Sequence, residues 1–417
     1  MPSPVLPSPP SLRRPYYGWA VVAASFLGTF VVFGLSYSFG VFLERIVDAF
    51  GGSRGLSSLA FGVQTVAIYV GASGLGVLID RYGTRRMLAV GALLTAGGLA
   101  AASRAESLAV LILTYGVVTG VGLSIVYVVA YATVTRWFDR RLGLAGGLSS
   151  AGLGIGMFVV VPSAAWLLAV AGWRTVLLRL AVVSSALLLL ASLLIRDDPA
   201  SAGVDLPSRE FVGAAPTPNR RPLREQFNGV RRVALTPAFG LLAVGWVLVY
   251  TTLYAVLAHL VLYAEGIGLP GWVGPWSLAL VGFTSAAGRV WIGHVADTAG
   301  RLRTFVVCSA AMGVATLWLV VADSVAGVLA FAVAYGLAYG GNGALLSPLT
   351  AALFGREQIN ALFGLLSMAF AVSGLLAPPA AGATYDALGT YDPAFVAAGV
   401  AAIVGAGAIR IAGTWAR

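Results

Sequence analysis

Lysine is absent from this sequence, cysteine occurs once, at Cys308, and only 10% of the 417 residues are charged. Each shortage removes a class of protein. Without lysine there is no Walker A phosphate loop, so a single-chain ATP-driven pump is excluded. One cysteine leaves no disulfide framework and no cysteine metal cluster. The two histidines, His259 and His294, lie too far apart in sequence for a local metal motif, and no H-E-x-x-H occurs. No metal, cofactor or enzymatic activity is therefore expected. A soluble domain of average make-up carries about 25% charged residues. This inventory cannot clothe 417 residues in a water-facing surface, and no long soluble extension suggests a receptor or regulator.

What is abundant is apolar: 59% of the residues, gathered in long runs. Residues 20–43, 55–79, 87–103 and 107–135 contain no charge. A helix needs about 20 such residues to cross a bilayer. The runs do not alternate with period two, which sets strands aside. They predict about twelve spans, near 17–43, 56–79, 87–103, 107–135, 142–170, 173–195, 237–264, 272–295, 303–322, 325–350, 359–381 and 391–413. The fold class is an all-α membrane protein of twelve transmembrane helices in two pseudo-symmetric six-helix bundles. One long polar segment, rich in Pro, Gly and Arg, interrupts the runs. It divides the chain into bundles at 1–195 and 236–417 joined by a solvated linker at 196–235. Residues 1–15 precede an apolar stretch too long for a signal core, so that stretch is expected to stay as an anchor.

All 26 basic residues are arginine, and they are unevenly placed. With the N-terminus in the cytoplasm, 20 fall in cytoplasmic segments. Five (Arg45, Arg54, Arg104, Arg174 and Arg179) fall on the far side, and Arg289 is left over. This is the positive-inside pattern, with both termini in the cytoplasm of a multi-pass cell-membrane protein. It also explains the net charge of +10 without a nucleic-acid partner. The expected partners are the bilayer and a small solute, with a monomer as the functional unit.

The chain repeats itself. Gly76, Asp80, Gly83 and Arg86 after the second span recur as Gly293, Asp297, Gly300 and Arg303 after the eighth, 217 residues later. Phe138, Arg140 and Pro162 recur as Phe354, Arg356 and Pro378, 216 residues later. Parallel repeats of six helices imply two bundles with the substrate site between them at mid-depth. Pro162 and Pro378 are expected to kink spans five and eleven. Gly152-Leu153-Gly154-Ile155-Gly156 reads as a helix-packing seam, because no strand precedes it.

The stretch Gly76-Val77-Leu78-Ile79-Asp80-Arg81-Tyr82-Gly83-Thr84-Arg85-Arg86 resembles the signature loop of the major facilitator superfamily, and Gly293 to Arg303 echoes it. The resemblance implies secondary transport. Asp80, with Arg85, Arg86, Arg140, Asp297, Arg301 and Arg303 around it, would lock and release one face. Asp80 could cap helix N-termini or pair with Arg85. A narrower resemblance rests on Tyr17-Gly18-Trp19, Gly120-Val121-Gly122 with Tyr127, Trp137-Phe138-Asp139-Arg140-Arg141, and His259-Leu260-Val261-Leu262-Tyr263-Ala264. These are similar to the monocarboxylate porter family, in a prokaryotic branch near the oxalate/formate exchangers. It implies a small monocarboxylate such as lactate or pyruvate, with proton symport. Animal members carry a Lys in span one after an S-Y-x-F stretch; here Ser36-Tyr37-Ser38-Phe39 is followed by Gly40 and Val41. They also carry an acid one turn before an Arg in span eight; here that place holds Ser285. The family's proton relay is missing, which leaves open a substrate carboxylate that carries the proton itself, anion exchange, or a larger organic acid or other substrate.

Arg289 is the residue with chemistry to do. It lies eight residues before Asp297, so about 12 Å into a core about 30 Å thick. A charge there costs at least about 2.5–3.5 kcal/mol, so it is expected to face a cavity. Its repeat partner is Ala72, so the charge is not part of the symmetric scaffold. No Asp or Glu lies mid-span to neutralise it. A guanidinium without a resident anion suits a carboxylate substrate held by two parallel hydrogen bonds. Tyr127, at similar depth in the opposite half, could donate to the same carboxylate. Asn342, Tyr254, Tyr37 and Ser285 complete the expected substrate site, and Tyr250, Tyr335 and Tyr339 are further cavity candidates.

Overall fold

The structure is a computed structural model that describes residues 16–138, 142–199, 223–355 and 359–416. Among the described residues there are helices and their connections and no strand. Twelve helical spans follow one another: Gly18–Phe50, Arg54–Tyr82, Thr84–Ala102, Leu108–Trp137, Leu142–Val170, Trp173–Leu194, Pro237–Gly266, Val273–Ala299, Arg301–Val321, Val325–Phe354, Ile359–Leu388 and Asp392–Trp415. They are spans 1 to 12 below. Eleven are long and apolar enough to cross a membrane. Span 3 is the exception. It is 19 residues long, but Arg85 and Arg86 in its first turn dilute its apolar character. Ser53, Ser107, Thr236 and Ser324 cap spans 2, 4, 7 and 10, each accepting from a backbone N–H three residues on.

Three local departures from the apolar pattern have physical causes. Span 1 is two helices, Gly18–Tyr37 and Phe39–Phe50, meeting at Ser38, whose Oγ donates back to the Leu35 carbonyl at 2.8 Å. The second helix runs past the apolar limit at residue 43 because it is amphipathic. Phe42, Leu43 and Ile46 are buried while Glu44, Arg45 and Asp48 face outward. Span 4 passes from a short α-turn, Leu108–Leu111, into a π-helical segment, Ile112–Thr119, in which the Thr119 hydroxyl donates to the carbonyl of Thr114 five residues back at 3.0 Å. In the polar linker, Leu223–Ala234 is helical, with Arg231 and Arg232 in its last turn.

Spans 1–6 pack among themselves, as do spans 7–12, and the two bundles meet along spans 2 and 11, 5 and 8, and 1 and 7. The seam is tight at one end. A Cβ on Gly55 would stand 3.0 Å from the Ala383 nitrogen, and one on Gly62 3.0 Å from the Gly374 carbonyl oxygen. Toward the arginine-rich loops the same helices part: Gly74, Gly76, Gly146, Gly147 and Gly364 have nothing within 4 Å of a Cβ position. The bundles therefore close on each other at one end, while the half-buried Arg289, Tyr127 and Tyr131 keep accessible surface at mid-span, which marks a central cavity between the bundles. Trp137, Trp246, Phe305 and Phe331 fill the two cores behind it.

Candidate functional site

Arg289 lies ten residues before the end of the 27-residue span 8, about 15 Å into the helix at 1.5 Å per residue. Small residues bring span 10 against it. A Cβ on Gly336 would stand 2.6 Å from the Val281 carbonyl oxygen, and Gly340 meets Ser285 more closely still. Two helices in such contact leave no groove for a long side chain, except at Gly343. There a Cβ would stand 2.9 Å from Nη2 and 3.1 Å from Cζ of Arg289. The guanidinium lies across this gap and 5.9 Å from the Tyr339 ring centroid, a cation–π distance. Its Nε is buried without a hydrogen-bond partner, and no carboxylate among the described residues pairs with it. The repeat gives the arrangement a counterpart. At the 217-residue offset Ala72 answers to Arg289, and at the 216-residue offset Tyr127 answers to Gly343.

Tyrosines surround the cation. Tyr127 and Tyr131 of span 4 are half-buried, with ring centroids 4.9 Å apart, and both lie within electrostatic range of Arg289. Tyr69 stands 5.7 Å from Tyr127. Above them, aromatic pairs cross between the bundles. Tyr69 stacks on Phe370 at 4.9 Å, Phe61 faces Tyr254 at 5.9 Å, and the Tyr37 and Tyr339 hydroxyls approach to 3.5 Å. These pairs form the ceiling of the cavity on its sealed side.

The expected site residues thus separate. Arg289 and Tyr127 come together at the cavity, and Tyr37 is buried in its ceiling, its hydroxyl 3.5 Å from that of Tyr339. Tyr254 is in the ceiling, its hydroxyl buried without a hydrogen-bond partner. Asn342 is fully buried; its Oδ1 accepts from the Tyr250 hydroxyl and its Nδ2 donates to Ser309 Oγ at 2.8 Å. It braces spans 7, 9 and 10, with both its amide oxygen and its amide nitrogen bonded within the bundle. Ser285 is fully buried and donates back to the Gly282 carbonyl at 2.8 Å. Tyr335 is bonded to Thr252 at 3.0 Å. Tyr69, Tyr131 and Gly343 were not expected. Tyr131 follows Tyr127 by one helical turn, a spacing that could have disclosed it. Gly343, at the repeat position of Tyr127, had no signal of its own.

At the open end, Gly83 and Gly300 hold equivalent turns, with φ of +86° and +92°. An L side chain is strained there, which accounts for glycine at both copies. Arg85, Arg86, Asp297, Arg301 and Arg303 are exposed, and Gly76 and Gly293 face open space or a single distant neighbour. The Asp80 side chain and all of Arg140 lie outside the described residues. At the start of span 3, Thr84 N donates to Oδ1 of Asp197, beyond span 6, at 2.6 Å. At the sealed end, Asp386 of span 11 caps span 2 across the seam, accepting from Arg54 N at 3.0 Å and Gly55 N at 2.9 Å. The Arg54 guanidinium lies 3.8 Å above the Tyr385 ring. Gly40, which follows the Ser36-Tyr37-Ser38-Phe39 stretch, packs on the Leu257 carbonyl, which leaves no room there for a long side chain.

Twelve spans in two like bundles, closed at one end over a central cation, are the architecture of an alternating-access carrier. A family model described as Major Facilitator Superfamily matches residues 25–301 and 273–415. The chain belongs to that superfamily. This major facilitator protein is 31% identical over 399 residues to monocarboxylate transporter 11 of Homo sapiens, covering 92% of this chain and 80% of that one. It is 28% identical over 403 residues to monocarboxylate transporter 13 of Bos taurus, covering 94% and 88%. Within the superfamily it is a member of the monocarboxylate porter family, a membrane transporter and not an enzyme. Two solved structures share the fold. One is a bacterial homologue of the human lysosomal transporter Spinster, inward-facing and unoccupied, with TM-score 0.74, 14% identity and coverage of 96% and 98%. The other is a D-xylose–proton symporter, with TM-score 0.72, 12% identity and coverage of 94% and 97%.

Proposed function

We propose that this transporter carries a small organic monocarboxylate, lactate- or pyruvate-like, across the cell membrane, with Arg289 binding the carboxylate. The observation that carries the reading is the state of Arg289. It is half-buried at mid-span beside the cavity, its Nε has no partner, and no described acid pairs with it. A buried charge left without a partner is costly, and a substrate carboxylate removes that cost through two parallel hydrogen bonds. The Tyr127 hydroxyl, across the cavity on span 4, is the second donor. The tyrosine ceiling covers the solute from the sealed side. The similarity to proteins named monocarboxylate transporters supports the same class.

The uneven distribution of arginine supports an orientation with the open end and both termini in the cytoplasm and the sealed end facing outward. Asp80 and Arg301 then belong to the cytoplasmic gate, which closes when the cavity opens outward. Exchange of one carboxylate for another is the second reading, favoured by the lack of any mid-span acid. Uptake into proteoliposomes, screened over short-chain, hydroxy-, keto- and dicarboxylates, tests the proposal. A saturable monocarboxylate signal that weakens about ten- to a hundredfold in Tyr127→Phe is expected, the scale of one hydrogen bond to a charged group. Transport of neutral solutes alone would overturn it.

A further inference from the structure

The sealed end holds a chain of hydrogen bonds that substrate binding does not use. Arg54, the first residue of span 2, donates from Nη1 to the Tyr391 hydroxyl at 3.0 Å. That hydroxyl lies 3.2 Å from His259 Nδ1, and His259 Nε2 lies 2.8 Å from the Pro378 carbonyl oxygen. His259 is fully buried and Tyr391 is 2% exposed. The donor and acceptor roles follow from chemistry. A carbonyl only accepts, so Nε2 carries the hydrogen. A guanidinium only donates, so the phenol oxygen accepts from Arg54. The remaining link runs from the Tyr391 hydroxyl hydrogen to Nδ1, which must be a bare lone pair. The chain is complete only while the imidazole is neutral.

We infer that His259 is a proton-binding site that controls the opening of the sealed end. A proton adds to the Nδ1 lone pair, and the neutral imidazole becomes an imidazolium. The Tyr391 hydroxyl hydrogen loses its acceptor. Two cations then face each other across one phenol oxygen, at most about 6 Å apart in a buried setting. The nearby Asp386 is already engaged with the backbone N–H groups of Arg54 and Gly55. Tyr385 offers Arg54 a ring face. Glu265, on the same span as His259, lines a separate cavity of about 130 Å³ with Glu44 and Arg45. Arg54 belongs to the first bundle, whereas His259, Pro378 and Tyr391 belong to the second. The repulsion therefore acts across the seam that has to part when the cavity opens outward. This gives the protein a proton site although the family's lysine and acid are missing. It rests on transport by alternating access and not on the identity of the substrate.

The test reads the gate and not the cargo. Full-length protein in lipid nanodiscs is spin-labelled at Glu106→Cys and Asp323→Cys, exposed positions on equivalent connections of the two bundles, in a Cys308→Ser background. Double electron–electron resonance then gives the distance across the sealed end. The ratio of the longer to the shorter distance is expected to rise at least about tenfold between about pH 8 and about pH 5, the range in which histidine titrates. In His259→Gln the distribution should no longer depend on pH. An unchanged wild-type distribution over that range would overturn the inference, and so would a full pH response in His259→Gln. Should that variant not insert, Tyr391→Phe keeps the histidine and removes the link. It should populate the longer distance already at about pH 8, and a wild-type distribution there would count against the inference.

Discussion

A methyl group added at Gly343 tests the site at its narrowest point. A Cβ there would stand 2.9 Å from Nη2, 3.1 Å from Cζ and 3.3 Å from Nη1 of Arg289. Ordinary contact begins near 3.5 Å, so the nearest nitrogen must retreat by about 0.6 Å. The backbone does not need to move, because the obstructed group is the end of a flexible side chain. A carboxylate held by two parallel bonds needs both N···O distances near 2.7–2.9 Å, and a displacement of that size is enough to lose one of them. One hydrogen bond to a charged group is worth about 1.5–3 kcal/mol, so Gly343→Ala should weaken carboxylate binding about ten- to a hundredfold. Alanine exceeds glycine by roughly 0.8–1 kcal/mol in helix propensity, so thermal stability should hold or rise slightly. Titration calorimetry on purified protein, with a melting curve from the same preparation, separates the two effects. Wild-type affinity in a protein of wild-type stability would refute the placement of the guanidinium against span 10.

Three further outcomes follow from the same geometry. Asn342→Ala strands the Tyr250 hydroxyl, at about 1–3 kcal/mol for a buried group left unsatisfied, and leaves Ser309 only its bond to the Phe305 carbonyl. It should lower the melting temperature while carboxylate selectivity stays as it is, and unchanged melting would contradict the bracing role. Asp386→Ala removes two cross-seam caps from span 2. A maleimide should then label Ser58→Cys, now fully buried, about tenfold faster or more in a Cys308→Ser background; an unchanged rate would mean the caps do not hold the end shut. Asp80→Asn should slow transport without impairing insertion, and wild-type rates would reduce the signature loop to a topology signal.

The fold was legible because its causes are written along the chain. Apolar runs of bilayer length, arginines gathered on one side and the 217-residue recurrence of Gly, Asp, Gly and Arg each depend on local composition. Arg289 was legible for a similar reason, since an isolated mid-span charge needs no tertiary knowledge to look costly. The residues around it were not. Asn342 and Ser285 are polar at the right depth, but helical rotation turns them into the bundle, where neighbours satisfy them. Gly343 matters because of a side chain 54 positions away, and a glycine gives no sign of what fills its space. Asp386, Arg54 and Asp197 read as loop charges. Only the approach of the two bundles, or of span 6 to span 3, makes them caps and latches.

The central claim is that one guanidinium holds the substrate anion, and equilibrium binding of monocarboxylate to Arg289→Lys and Arg289→Gln, both checked for normal insertion, tests it most directly. Losing one partner of a desolvated charge pair costs about 2–5 kcal/mol, and lysine lacks the planar fork, so binding should be lost in the glutamine variant and largely lost in the lysine variant. Wild-type affinity in both would contradict the account and leave Arg289 a structural residue.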